Sequence, residues 1–291
     1  MCEKDDLDEM YEISRSRDLS RRQFGAMTLG VGLAAVLPRV ADAADTQESE
    51  VEIKTPDGSC DAYLVHPAKG KHPAVLIWPD IFGLRPTFRQ MGKRLAESGY
   101  TVLVINPFYR TKKAPTAPEH PDFNDPATRQ ALMSLAGSLS PATALTDASA
   151  FVAYLDAQPA VDKKRKMGTT GYCMGGPFVF RTAAAFADRV GAAATFHGGS
   201  LATDKPESPH LLIPKMKAHF LIAIAENDDQ REPEVKNILR ESFAKAKLPA
   251  EIEVYAGTKH GWCPPDSAVY NAEQAEKAWS RMMVLFKTAL A

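Results

Sequence analysis

Gly171-Tyr172-Cys173-Met174-Gly175-Gly176 decides the reading of this chain. A Gly-x-nucleophile-x-Gly stretch lets a strand turn sharply into a helix with its central side chain exposed. The flanking glycines matter because a bulkier residue would collide with neighbouring backbone in so tight a turn. Here the central residue is Cys173, and Pro177 suits the first turn of the helix that follows. A free Cys is among the most buried residue types, so a thiol between glycines is by itself an ordinary core residue. Downstream stand Ala225-Glu226-Asn227-Asp228 and Lys259-His260-Gly261, each just after an apolar, strand-like run. Three such elements in the order nucleophile, acid, histidine give the thiol a chemical role.

Outward from that turn, apolar β-rich runs alternate with helical patterns. Glu50 to Lys54 and Ala62 to Val65 read as an opening hairpin across Pro56-Asp57-Gly58. Ala74 to Trp78, Thr101 to Ile105, Ala192 to Phe196, Ala218 to Ala225 and Ile252 to Tyr255 read as strands, and Lys166 to Thr170 carries the weakest strand signal. Helical patterns fall over Pro86 to Ser98, Asp125 to Leu155 with a break at Ser140-Pro141, around Ala183, over Pro233 to Lys245, and from Asn271 to Leu290. Continuous apolar strands alternating with helices predict an α/β fold with a mostly parallel central sheet covered on both faces. Thr111 to Asn124, rich in Pro and Lys, predicts a long surface excursion near the site.

Ser20-Arg21-Arg22-Gln23-Phe24-Gly25, followed by apolar Ala26 to Leu37 and then Ala41-Asp42-Ala43, reads as a twin-arginine export signal with a small-x-small cleavage pattern. The apolar run is too short for a stable bilayer anchor. The expectation is a signal over residues 1–43 and one domain over 44–291, exported to the periplasm or beyond by the twin-arginine machinery, with no membrane anchor after cleavage. The formal net charge of the whole chain is −1, and nothing in its distribution suggests a nucleic-acid surface. Beyond the leader remain Cys60, Cys173 and Cys263, an odd number that leaves one thiol free and permits, without requiring, a Cys60–Cys263 disulfide. No cysteine spacing matches a structural zinc site.

The order of Cys173, Asp228 and His260 is that of the α/β-hydrolases, and over nearly all of residues 50–290 the chain resembles the dienelactone hydrolase family. The residues that carry the resemblance are Pro79-Asp80-Ile81-Phe82-Gly83, Pro107-Phe108-Tyr109-Arg110, the Cys173 hexad and His260-Gly261-Trp262. The resemblance implies a Cys-Asp-His triad, an oxyanion hole of backbone amides, no metal or other cofactor, and hydrolysis of enol-lactones or small esters. Residue chemistry agrees: His260 can take the thiol proton, Asp228 can hold the imidazole tautomer, and thiolate attack gives a thioester. The Met174 and Ile81 amides are the expected oxyanion donors. Asp228 fits the family pattern of small-x-x-Asp after a strand, while adjacent Asp229 is the alternative acid.

Two departures bear on substrate. The family usually has Glu where this chain has Asp80, a residue expected to restrain the resting thiol. It also clamps a substrate carboxylate with two arginines; Arg110 matches one, and Pro264 stands where the other is expected. Half of a bidentate anion site is thereby lost, which makes an uncharged ester plausible. The leading expectation is an exported cysteine hydrolase. The alternatives are a broad carboxylesterase and, of another class, a non-catalytic thiol protein in which Cys173, Cys263 and His260 bind a soft metal or sense oxidants. His197, at a strand end before two glycines, is placed to face the pocket.

Overall fold

The structure, a computed structural model, describes residues 37, 38, 40, 43–118, 123 and 125–291. The twin-arginine reading falls almost wholly outside the described residues. None of the described helices is long and apolar enough to cross a membrane.

A single sheet of eight strands forms the centre, in the spatial order β1-β2-β4-β3-β5-β6-β7-β8. β1 (Thr46–Thr55) and β2 (Gly58–Pro67) make the hairpin predicted at Pro56-Asp57-Gly58. β2 runs antiparallel to β4 (Thr101–Ile105). From there β3 (Ala74–Trp78), β5 (Met167–Tyr172), β6 (Val190–Phe196), β7 (His219–Ala225) and β8 (Ala250–Tyr255) are all parallel. This is the α/β-hydrolase fold.

The all-apolar strands follow from burial on both faces. Along β3, Ala74, Leu76 and Trp78 enter one core while Val75 and Ile77 enter the other. The first core is covered by α2 (Pro126–Gly137), α3 (Pro141–Ala157), α4 (Gly176–Ala185) and α6 (Val235–Ala246), through residues such as Leu132, Phe151, Phe178 and Phe243. The second is covered by α1 (Pro86–Glu97) and α7 (Ala272–Ala289), through Phe88, Leu95, Met282 and Phe286. The break at Ser140-Pro141 is a helix start. Ser140 Oγ accepts from the Thr143 amide and Thr143 Oγ1 accepts from the Ser140 amide, a reciprocal cap that separates α2 from α3.

The segment after β4 contains no regular element among its described residues, and it leans on the loop after β3. Thr116 Oγ1 donates to the Phe82 carbonyl at 3.1 Å, and the Phe82 and Phe123 rings meet edge to face. Lys112 and Ala114 are tied back to the sheet through Asn106 and Asp61.

Cys60 and Cys263 are both free and buried, in the cores on opposite faces of the sheet. The disulfide that the cysteine count permitted is not formed.

Candidate active site

β5 ends at Tyr172 in extended conformation, and Cys173 follows with φ +50°, a left-handed backbone that costs a residue with a side chain of the order of 1 kcal/mol. A single 3-10 turn, Cys173–Gly175, leads directly into α4. The turn tolerates no side chain at Gly175: a Cβ there would lie 2.8 Å from the Pro79 carbonyl oxygen and closer still to that of Trp78. The same closeness sets the elbow against the loop after β3, which carries Asp80 and Ile81.

The acid and the histidine arrive from the next strands. β7 ends at Ala225 and passes into α5 (Glu226–Arg231), which carries both aspartates. Asp228 Oδ2 sits 2.9 Å from His260 Nδ1, and its other oxygen accepts from Arg231 at 3.0 Å. Asp229 points elsewhere, with both oxygens 2.6 Å from Lys236 Nζ. The loop after β8 is stitched to α5, since the His260 amide donates to Asn227 Oδ1 and the Gly257 amide to Glu226 Oε2. His260 therefore has its ring set by Asp228 and its backbone set by Asn227.

His260 is fully buried and in side-chain contact with the Cys173 thiol. Burial by itself depresses an imidazole pKa, but the attraction of Asp228 and then of Cys173 outweighs it and holds His260 well above the usual histidine range. An imidazolium of this kind favours the thiolate form of its neighbour, the state that reacts.

The structure adds a second histidine to the group. His197 follows β6 with φ +41°, is 1% exposed, and stacks edge to face on His260 with ring centroids 5.1 Å apart. Burial, and then the proximity of His260, push its pKa well below the histidine range, so it is neutral. The sequence placed it toward the pocket by its position at a strand end; nothing in the sequence placed it against His260. Cys263 does not join the group. It lies in the apolar core on the other face with Trp262 and Tyr172, and burial drives its thiol pKa well up.

The two charged residues expected around the substrate are engaged in ion pairs. Arg110 gives four of its five N–H donors to Asp57 and Asp147, which also accepts from Tyr109. The guanidinium thus braces the β1–β2 turn against α3. Asp80 accepts from both terminal nitrogens of Arg85 at 2.7 and 3.0 Å and from the Phe82 amide at 2.9 Å. Arg85 in turn grips Asp266, in the loop after His260, at 2.6 and 3.0 Å. The Asp80–Arg85–Asp266 chain joins the two loops that flank the elbow. Sequence reasoning passed over Arg85, for which no spacing or motif gave a signal.

Residues 60–290 match the dienelactone hydrolase family. The chain belongs to that family. Among its relatives, the carboxymethylenebutenolidase of Rhodococcus opacus is 27% identical over 226 residues, covering 76% of this chain and 83% of the relative. The crystal structure of the dienelactone hydrolase from Anabaena variabilis superposes with a TM-score of 0.60 at 16% identity, over 84% of this chain and 99% of that one. A dienelactone hydrolase-like promiscuous phosphotriesterase from metagenomic libraries does so with a TM-score of 0.69 at 20% identity and the same coverage. These two share the fold. Membership of the family makes the chain a hydrolase of ester or lactone bonds.

Proposed function

We propose that the chain is an exported cysteine hydrolase that cleaves a small, uncharged ester or lactone through a thioester on Cys173. The observation that carries this reading is the continuous contact from Cys173 to His260 and, at 2.9 Å, on to Asp228. In the reaction the thiolate attacks the acyl carbon, and the Met174 and Ile81 amides receive the developing oxyanion. His260 then passes the former thiol proton to the leaving alkoxide. Water, deprotonated by His260, hydrolyses the thioester and regenerates the thiol, while Asp228 keeps the imidazole oriented throughout.

An uncharged substrate is supported by where the cations are. Arg110 is committed to Asp57 and Asp147, Arg85 to Asp80 and Asp266, and position 264 is a proline. A substrate carboxylate would have to break one of these pairs before gaining either arginine as a partner. Asp80, held by Arg85, serves in this reading to fix the loop that supplies the Ile81 amide. Export rests on the twin-arginine pattern alone; R21K/R22K should retain the protein inside the cell on fractionation, and unchanged export would reject the signal.

The test of function is hydrolysis of a chromogenic acetate ester and of a dienelactone by the wild type and by Cys173→Ala, with chelator present. Thiol-dependent turnover that favours the uncharged ester is expected. Turnover unaffected by Cys173→Ala would reject the mechanism, and strong preference for the dienelactone would reject the substrate class.

A further inference from the structure

The Cys173 sulfur and one nitrogen of each of the rings of His197 and His260 all lie within 4.8 Å of one another, and all three residues are buried. In a tetrahedral zinc site, bonds of about 2.0 Å to nitrogen and 2.3 Å to sulfur place neighbouring ligands about 3.5 Å apart. Side-chain rotations of the order of 1 Å would close this cluster on one ion.

Two further observations point to a ligand. Neither ring nitrogen of His197 has a hydrogen-bond partner in another residue, although the side chain is 1% exposed. A buried polar group left so costs about 1–3 kcal/mol, which a donor–acceptor bond to a metal would recover. His260, for its part, has Nδ1 bonded to Asp228, which leaves Nε2 for the ion. A carboxylate–histidine pair of this kind orients metal-ligating histidines.

We propose that Cys173, His197 and His260 form a three-ligand site for Zn2+, and that its occupation and catalysis are mutually exclusive because the ion takes both the nucleophile and its base. Binding displaces the one proton that thiol and imidazole share, with no change of oxidation state. The fourth coordination position is left for an exogenous donor. The hydrolase is thereby reversibly silenced by a thiophilic ion, and His197 is the residue that turns a catalytic pair into a chelate. The mutual exclusion rests on the hydrolase reading above, whereas the metal site rests on geometry alone.

The test is titration of chelator-treated full-length protein with Co2+ as a spectroscopic stand-in, followed by competition with Zn2+. One equivalent of Co2+ should give a thiolate-to-cobalt charge-transfer band that is absent in Cys173→Ser. Removing a direct ligand in His197→Phe should weaken Zn2+ binding by at least about tenfold, the lower bound for loss of even an outer-shell partner. His197→Gln, which keeps polarity, should weaken it as well and guards against a folding defect in the first variant. Ester hydrolysis by the wild type should fall with the same Zn2+ midpoint and return with EDTA. No charge-transfer band in the wild type, or unchanged affinity in both His197 variants, would overturn the site. Metal binding without any hydrolysis would leave the site standing and remove the hydrolase reading instead.

Discussion

Asp228→Asn removes one charge and almost no volume, at an oxygen 2.9 Å from His260 Nδ1. At that separation and an effective dielectric of about 20, the attraction between an aspartate and an imidazolium is roughly 6 kcal/mol, an upper limit on what the reaction can lose. At about 1.4 kcal/mol per decade this corresponds to roughly four decades in rate. The same substitution in a serine triad costs about 10⁴-fold, because the amide also holds the wrong imidazole tautomer. A loss of about 10³–10⁴-fold in kcat/KM is therefore expected on a chromogenic ester. Asp229→Asn is the internal control. It breaks a partly exposed pair with Lys236, worth about 1 kcal/mol or less, and should leave kcat/KM within about twofold. Alkylation of Cys173 by iodoacetamide gives a readout that does not need turnover. The Asp228 variant should lose the reactivity of the wild-type thiol near neutral pH, and the Asp229 variant should keep it. Collapse of activity in Asp229→Asn with survival in Asp228→Asn would refute the assignment of the acid.

Other expectations follow from the same contacts. Gly175→Ala forces a methyl group against the Trp78 and Pro79 carbonyls, where neither backbone can retreat, and should cost more than about 3 kcal/mol in urea denaturation. Arg85→Ala strands the buried Asp80 carboxylate and should destabilise by about 3–5 kcal/mol, seen as a lowered Tm, while a loss under about 1 kcal/mol would deny the bridge its role. Of the three cysteines in residues 44–291, a thiol reagent should find only Cys173 reactive in the native protein and should reach Cys60 and Cys263 only after unfolding. His197 is neutral in the fold and takes up a proton in the unfolded chain below a pH of about 6.5, so its burial lowers stability as pH falls through that value. Between about pH 6.5 and 5.5 wild type should lose up to about 1 kcal/mol more than His197→Phe. Parallel losses in the two proteins would mean that His197 charges in place.

The sequence was legible where one periodicity had one cause. β3 and β4 were placed residue for residue because both their faces are buried, so every position but Thr101 is apolar. β1 and β2 extend well beyond their predicted cores. β1 lies at the sheet edge with most side chains exposed, and exposed positions carry no apolar signature. β5 was faint for the opposite reason. Its Gly168 sits where a Cβ would come within 3.2 Å of Phe286 and Leu290, so close packing under α7 favours small residues over the β-branched ones that mark a strand. The elbow, Asp228 and His260 were legible because each lies just after a parallel strand, a position that chain order reveals. The ion pairs were hidden: Arg85 reaches Asp266 across 181 residues and Arg110 reaches Asp57 across 53. His197 was hidden in the same way, for its partner His260 belongs to a loop two strands away.

The central claim is that Cys173 carries the acyl group. It is tested most directly by acid-quenching the enzyme during turnover of an acetate ester and mapping adducts by mass spectrometry. A single acetyl group is expected on the peptide containing Cys173, accumulating before steady state and absent from Cys173→Ala. Hydrolysis at the wild-type rate with no acetyl group on Cys173, or with the acetyl group on another side chain, would contradict it.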